Sequence, residues 1–134
     1  MSVNKIDHIG IAVNSLTDAN MLYERLLGTR AYKTEVVDSE NVITQFFKIG
    51  ESKIELLESR NANSPIAKFI AKIGEGIHHI AFHVDNIQTE MNRLKEEGFT
   101  LIDEKPKLGA DNMLVCFIHP KTTNGVLIEL CQDI

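Results

Sequence analysis

Polar and apolar residues alternate along "IDHIGIAV" (6–13) and again along "IHHIAFHV" (77–84). A period of two marks a half-buried strand. His8 falls on His79 and Val13 on Val84 when the second stretch is laid over the first, 71 positions on. Each stretch is followed by apolar residues at helical spacing. "NSLTDANMLYERLLG" and "DNIQTEMNRLKEEG" open on polar cap residues and close on Gly28 and Gly98, the residue type suited to a helix C-terminus. Further on, "FFKIGESKIELLE" (46–58) and "VCFIHPKTTNGVLIEL" (115–130) each read as two strands joined by a Gly-containing turn. Glu55 falls on Glu129, and the three extra residues of the second copy fit inside "PKTTNG".

The chain therefore reads as one βαβββ unit written twice. "SPIAKFIAKIG" predicts a linking helix, with Ser64 as N-cap, Pro65 at the first helical position and Gly74 at the stop. The expectation is a single α+β domain over 1–134. It consists of modules 1–60 and 75–134 joined by a helix over 64–73, with the strands closing into a half-open mixed β barrel and the helices outside.

Alternation also assigns faces, because successive strand side chains point to opposite sides. Ile9, Ile11 and Val13 share one face of the first strand, and Ile80, Phe82 and Val84 one face of the fifth. Those faces suit packing under helices. His8, Gly10 and Ala12 take the other side, as do His79, Ala81 and His83. Glu55 and Glu129 are expected on the same inner surface. Small residues beside a histidine and a carboxylate from each copy leave room for a ligand.

A histidine or a glutamate alone in a strand is usually a hydrogen-bonded or solvated residue. Recurrence of both types at equivalent positions of a duplicated unit changes that reading. Two neutral imidazoles and two carboxylates suit a divalent transition metal, and manganese, cobalt, nickel, iron and zinc all accept such a shell. His8, Glu55, His79 and Glu129 are the candidate ligands. His78 faces the opposite way and is expected to be structural. His83 lies further along the strand and either lines the pocket or sits at its edge.

Composition narrows the partners. Fourteen Lys and Arg against nineteen Asp and Glu give a net charge of −5, with no basic tract. That argues against nucleic acid and anionic membrane surfaces. No apolar run approaches the length of a membrane span, and the first residues run straight into a strand pattern, so a cytoplasmic protein is expected. Cys116 and Cys131 fall in apolar strands and read as buried free thiols. They are not at the spacing of a closed structural zinc site.

"DHIGIAV", "GESKIELLE", "SPIAKFIAKIGEGIHHIAF", "DEKPKLGA" and "FIHPKTTNGVLIELCQ" run in order over nearly the full length. In these segments the chain resembles the vicinal oxygen chelate superfamily, which holds the glyoxalases, bleomycin resistance proteins and extradiol dioxygenases. Within it, the chain is similar to the methylmalonyl-CoA epimerase family. The resemblance implies a metal-dependent isomerase that takes a proton from the α-carbon of an acyl-CoA thioester and returns it. It implies a divalent cation on His8, Glu55, His79 and Glu129, with some relatives carrying glutamine at the position of Glu55. Glu129 is implied as one acid/base group, and a homodimer as the assembly. Several epimerases have a glutamate where this chain has Thr44, so the second acid/base group is unassigned. Lys68, Lys107 and Lys121 are candidate contacts for the anionic coenzyme, and His119 a candidate substrate contact. Other activities of the same architecture are a glyoxalase I-type lyase, an iron-dependent extradiol dioxygenase and a metal-free protein that sequesters small molecules.

Overall fold

The computed structural model describes residues 3–134. The elements run β1 (Val3–Ala12), α1 (Leu16–Leu27), β2 (Lys33–Val37), β3 (Val42–Ile49), β4 (Ser52–Ser59), α2 (Pro65–Ile73), β5 (Gly76–Val84), α3 (Ile87–Glu96), β6 (Lys107–Leu108), β7 (Met113–Ile118) and β8 (Ile128–Asp133). The βαβββ order therefore occurs twice, with α2 between the copies. The chain divides into two compact units: one is Ile9–His78, and the other joins His79–Ile134 to the stretch ending at His8. The division falls inside β1 and inside β5.

In the Ile9–His78 unit, β3 is the central strand of an antiparallel β2–β3–β4 meander. The Val13 N–H donates to the Leu57 carbonyl at 3.0 Å, tying the end of β1 to β4. Val13, Leu16, Phe47 and Leu56 are buried together, with Ile11, Tyr23, Leu27, Ile43 and Ile54 packed around them. Ile11 and Val13 thus occupy the helix-side face that their alternation predicts. Helix α1 starts where Ser15 caps the Asp18 N–H and Glu58 accepts from the Leu16 N–H at 2.8 Å. Acceptors at a helix N-terminus satisfy amides that have no partner within the helix. It stops at Gly28, whose φ of 69° is left-handed. Helix α2 has the boundaries its sequence announces: the Ser64 hydroxyl accepts from the Ala67 N–H, Pro65 leads, and Gly74 ends it with φ at 100°.

The other unit pairs β5 with β8 in parallel and β8 with β7 antiparallel. Val84, Ile87, Met91, Leu94, Cys116, Ile118 and Leu130 form its main core, against which Phe82, Phe99 and Leu101 pack. Helix α3 ends at Glu96 with Glu97 as its cap, and Gly98 follows in a positive-φ conformation. The closing glycine lies one residue beyond the cap, because the last turn tightens: the Gly98 N–H bonds to the Lys95 carbonyl. Both cysteines are buried, and neither forms a disulfide. Burial, with the nearby charges of Asp103 and Glu129, pushes the Cys116 thiol up to about 12, so this sulfur stays protonated.

Candidate metal centre

Three strands of the second unit aim a side chain at one point. His79 lies on β5. Glu129 lies on β8, in register with Ala81 on one side and Phe117 on the other. His8 comes from β1, the neighbour of β5 in the sheet. The His8 and His79 Nε2 atoms are 3.0 Å apart. Glu129 Oε1 lies 3.1 Å from His79 Nε2 and 3.6 Å from His8 Nε2. The three residues are only 4%, 5% and 6% exposed, in chain order.

Burial alone would raise the carboxyl pKa of Glu129. The His8 and His79 imidazoles outweigh it and hold the group well below the usual carboxylate range. A neighbouring positive charge favours the ionised form. Glu129 is therefore an anion at neutral pH.

The donor set and spacing fit a divalent transition ion. Donors on bonds of about 2.1 Å and at right angles would sit about 3.0 Å apart, and the His8–His79 and His79–Glu129 separations match that. Nitrogen and oxygen donors together are the mixture such ions accept. Among the described residues, the groups of at least three potential ligands with donor atoms mutually close are this trio and a second one, Asp7, His8 and Cys131. His8 belongs to both.

The orientation of His8 has a visible cause. Its Nδ1 is 2.8 Å from Asp7 Oδ2, and both residues are buried. The carboxylate oxygen accepts and Nδ1 donates, which leaves Nε2 as the ring nitrogen that faces His79 and Glu129. Sequence alternation misses Asp7, because adjacent strand residues are assigned to opposite faces; the signal available is the Asp-His dipeptide itself. His79 is fixed differently, with the Phe117 ring edge-on to it at 5.8 Å.

Glu55 lies in the other unit, on β4, and is 4% exposed. It stands opposite Phe46 across β3–β4, as Glu129 stands opposite Phe117 across β7–β8. The likeness extends outward. Lys33 Nζ lies 5.2 Å over the Phe46 ring, and Lys107 Nζ lies 5.3 Å over the Phe117 ring. Lysine, phenylalanine and glutamate therefore repeat as a set in the two copies. Neither cation–π contact follows from periodicity, since each depends on strand register.

The remaining sequence candidates separate clearly. His83 bonds Asp133 at 2.8 Å and Asn4 at 3.0 Å, a polar cluster outside the trio. His78 packs edge-on against Phe69 at 5.0 Å. His119 Nδ1 accepts from the Lys121 N–H and caps the turn Pro120–Thr122. Lys107 also pairs with Asp103 at 3.3 Å, and Asp103 accepts from the Phe117 N–H. Thr44 is 1% exposed, and its hydroxyl is one of two buried side-chain atoms without a hydrogen-bond partner among the described residues. It stands between Glu35 and Leu57 in the β2–β3–β4 register.

Comparison with known proteins agrees with this architecture. Residues 7–117 match the Glyoxalase/Bleomycin resistance protein/Dioxygenase superfamily. An uncharacterised protein of Bacillus subtilis is 42% identical over 97% of this chain and 93% of its own length. An ethylmalonyl-CoA/methylmalonyl-CoA epimerase of Cereibacter sphaeroides is 37% identical, covering 97% of this chain and 98% of the relative. Among solved structures, Streptomyces coelicolor methylmalonyl-CoA epimerase in complex with 2-nitronate-propionyl-CoA aligns with a TM-score of 0.95 at 33% identity. It covers 98% of this chain and 96% of that one. The α+β fold expected from the duplicated pattern is the fold of these relatives. Among the described residues, no helix is long and apolar enough to cross a membrane.

Proposed function

The chain belongs to the glyoxalase/bleomycin resistance protein/dioxygenase superfamily, and from that premise we propose that it interconverts the two epimers of methylmalonyl-CoA. Relatives named for this reaction match it over nearly its whole length. The observation that carries the reading at the level of chemistry is the convergence of His8, His79 and Glu129 in a buried space.

His8, His79 and Glu129 are the proposed ligands of one divalent ion, with Glu55 as the fourth ligand. What supports Glu55 is its burial and its position opposite Phe46, equivalent to Glu129 opposite Phe117. A bound ion would supply a positive partner for the charge that gathers on the thioester oxygen as the α-proton leaves. The residues around it do the rest. Phe117 packs against His79 in a T-shaped contact at 5.8 Å.

Epimerisation needs a proton acceptor on one face of the α-carbon and a donor on the other. Glu129 is proposed for one face, because it is ionised and its Oε1 lies 3.1 Å from His79 and 3.6 Å from His8. Thr44 is not the second base: a hydroxyl with no basic partner does not ionise near neutral pH. Its unpartnered oxygen can instead hold a hydrogen bond to a ligand oxygen.

The deciding experiment is incubation of the metal-loaded protein with racemic methylmalonyl-CoA in deuterium oxide. Deuterium at the α-carbon is expected. A fully loaded protein that leaves the α-position unlabelled would overturn the assignment.

A further inference from the structure

The two copies differ at one position beside the cluster. His79 is preceded by His78, whose ring rests against Phe69. His8 is preceded by Asp7, whose carboxylate is 4% exposed and bonded to His8 Nδ1 at 2.8 Å. A buried carboxylate is costly to keep ionised without a strong partner. A buried imidazole with an unfixed tautomer is a poor ligand, because either nitrogen can carry the proton. Each group answers the other's need.

We propose that Asp7 is a positioning residue for the ion: through His8 Nδ1 it sets the tautomer and ring orientation that aim Nε2 at His79 and Glu129. The inference rests on the metal reading above and goes beyond it. Carboxylate partners of ligating imidazoles govern ligand basicity and metal affinity in this way. Asp7 touches neither His79 nor Glu129 in the ligand grouping, where it appears only with His8 and Cys131. Its link to the trio runs through His8, the member common to both groups.

Asp7, His8 and Cys131 also form a compact group of donors, so the competing possibility is an ion seated there. The hydrogen-bond distance between Asp7 and His8 argues for a proton between them. The Cys131 Sγ is 3.5 Å from the Phe82 carbonyl, a contact in which the thiol donates. Both features favour the Nε2 side for the proposed ion.

The test compares wild type with Asp7→Asn and Asp7→Ala. The apo proteins are titrated with Co(II) and Mn(II) against a competing chelator. The Nδ1–H resonance of His8 is followed by proton NMR, and folding of each variant by circular dichroism. Wild type is expected to bind one ion. Asp7→Ala should bind it about 10- to 100-fold more weakly, with the His8 Nδ1–H signal lost. Asp7→Asn keeps a neutral acceptor and the volume of the side chain, and should fall between. Affinities within twofold of wild type in both folded variants would overturn the role of Asp7 and leave the metal reading intact. A thiolate-to-cobalt charge-transfer band in the wild-type complex would also overturn it, by moving the ion to Cys131. Wild type that takes up neither ion would defeat the metal reading and this inference together.

Discussion

His79 Nε2 and Glu129 Oε1 lie 3.1 Å apart, the closest approach of the carboxylate to either imidazole of the cluster. The contact joins adjacent parallel strands, since β5 and β8 pair with Ala81 opposite Glu129. It places an ionised oxygen at the centre of the proposed chemistry. Replacing Glu129 by Gln keeps the shape and removes the charge. α-Proton exchange into deuterium oxide should drop by about 10²- to 10⁴-fold, the usual contribution of a positioned acid/base group. Metal content measured on the same sample separates loss of the base from loss of the ion.

The depressed titration of Glu129 also has a sign for stability. A carboxyl group with a folded-state pKa below its unfolded value stabilises the fold fully above the unfolded value, about 4.3 for glutamate. That contribution fades as the pH falls toward the folded-state value. In the apo protein, the stability gap between wild type and Glu129→Gln should therefore shrink as the pH falls below the unfolded-state value of about 4.3. Urea unfolding at a series of pH values measures it. A gap that widens in acid would contradict the direction of the shift.

Ion binding should stabilise the native fold, because the donors converge only there. A free ion at about a hundred times its dissociation constant adds about 2.7 kcal/mol. Thermal melts with Mn(II) or Co(II) should rise accordingly and return to the apo value with a chelator. In His79→Ala the rise should be much reduced, and in His83→Gln it should be unchanged, since His83 is engaged by Asp133 and Asn4.

Thr44 offers a test of its unpartnered hydroxyl. Deleting a buried polar group that has no hydrogen bond is neutral or stabilising, whereas deleting a partnered one costs about 1 kcal/mol. Thr44→Val should therefore melt at or above the wild-type temperature, while KM for the acyl-CoA substrate rises. A melting point several degrees lower would mean that the hydroxyl is already satisfied in the free protein.

Gly109 precedes β7 and passes close to Val115. A Cβ there would meet the two Val115 γ-carbons at 2.8 and 2.9 Å, and Val115 is itself buried. Overpacking of this kind costs about 1–3 kcal/mol. Gly109→Ala should be destabilised by that amount, and a double-mutant cycle with Val115→Ala should show favourable coupling as the space is returned.

Much of this arrangement is legible in the amino acids. Ser64, Pro65 and Gly74 fix both ends of α2 by local chemistry, and the structure keeps those ends. His8, His79 and Glu129 are recognisable because duplication makes each a repeated position, and alternation orients them. Other features depend on register or on local backbone geometry. Asp7 joins His8 although simple alternation separates neighbouring side chains. Lys33 and Lys107 reach their rings only because of where β2 and β6 align with the strands beside them. The early cap of α3 follows from a tightened last turn that Gly98 permits but does not announce.

The break between the compact units falls within the first strand, so His8 is grouped with His79 and Glu129 rather than with the residues that follow it. Cutting the gene midway, after Gly74, would leave neither fragment with all three donors. Cobalt uptake by a mixture of the two fragments, and by neither alone, would report their reassembly. A molecule with only one copy would have to borrow an opening strand from a second molecule to assemble the same three side chains; here one continuous chain supplies both.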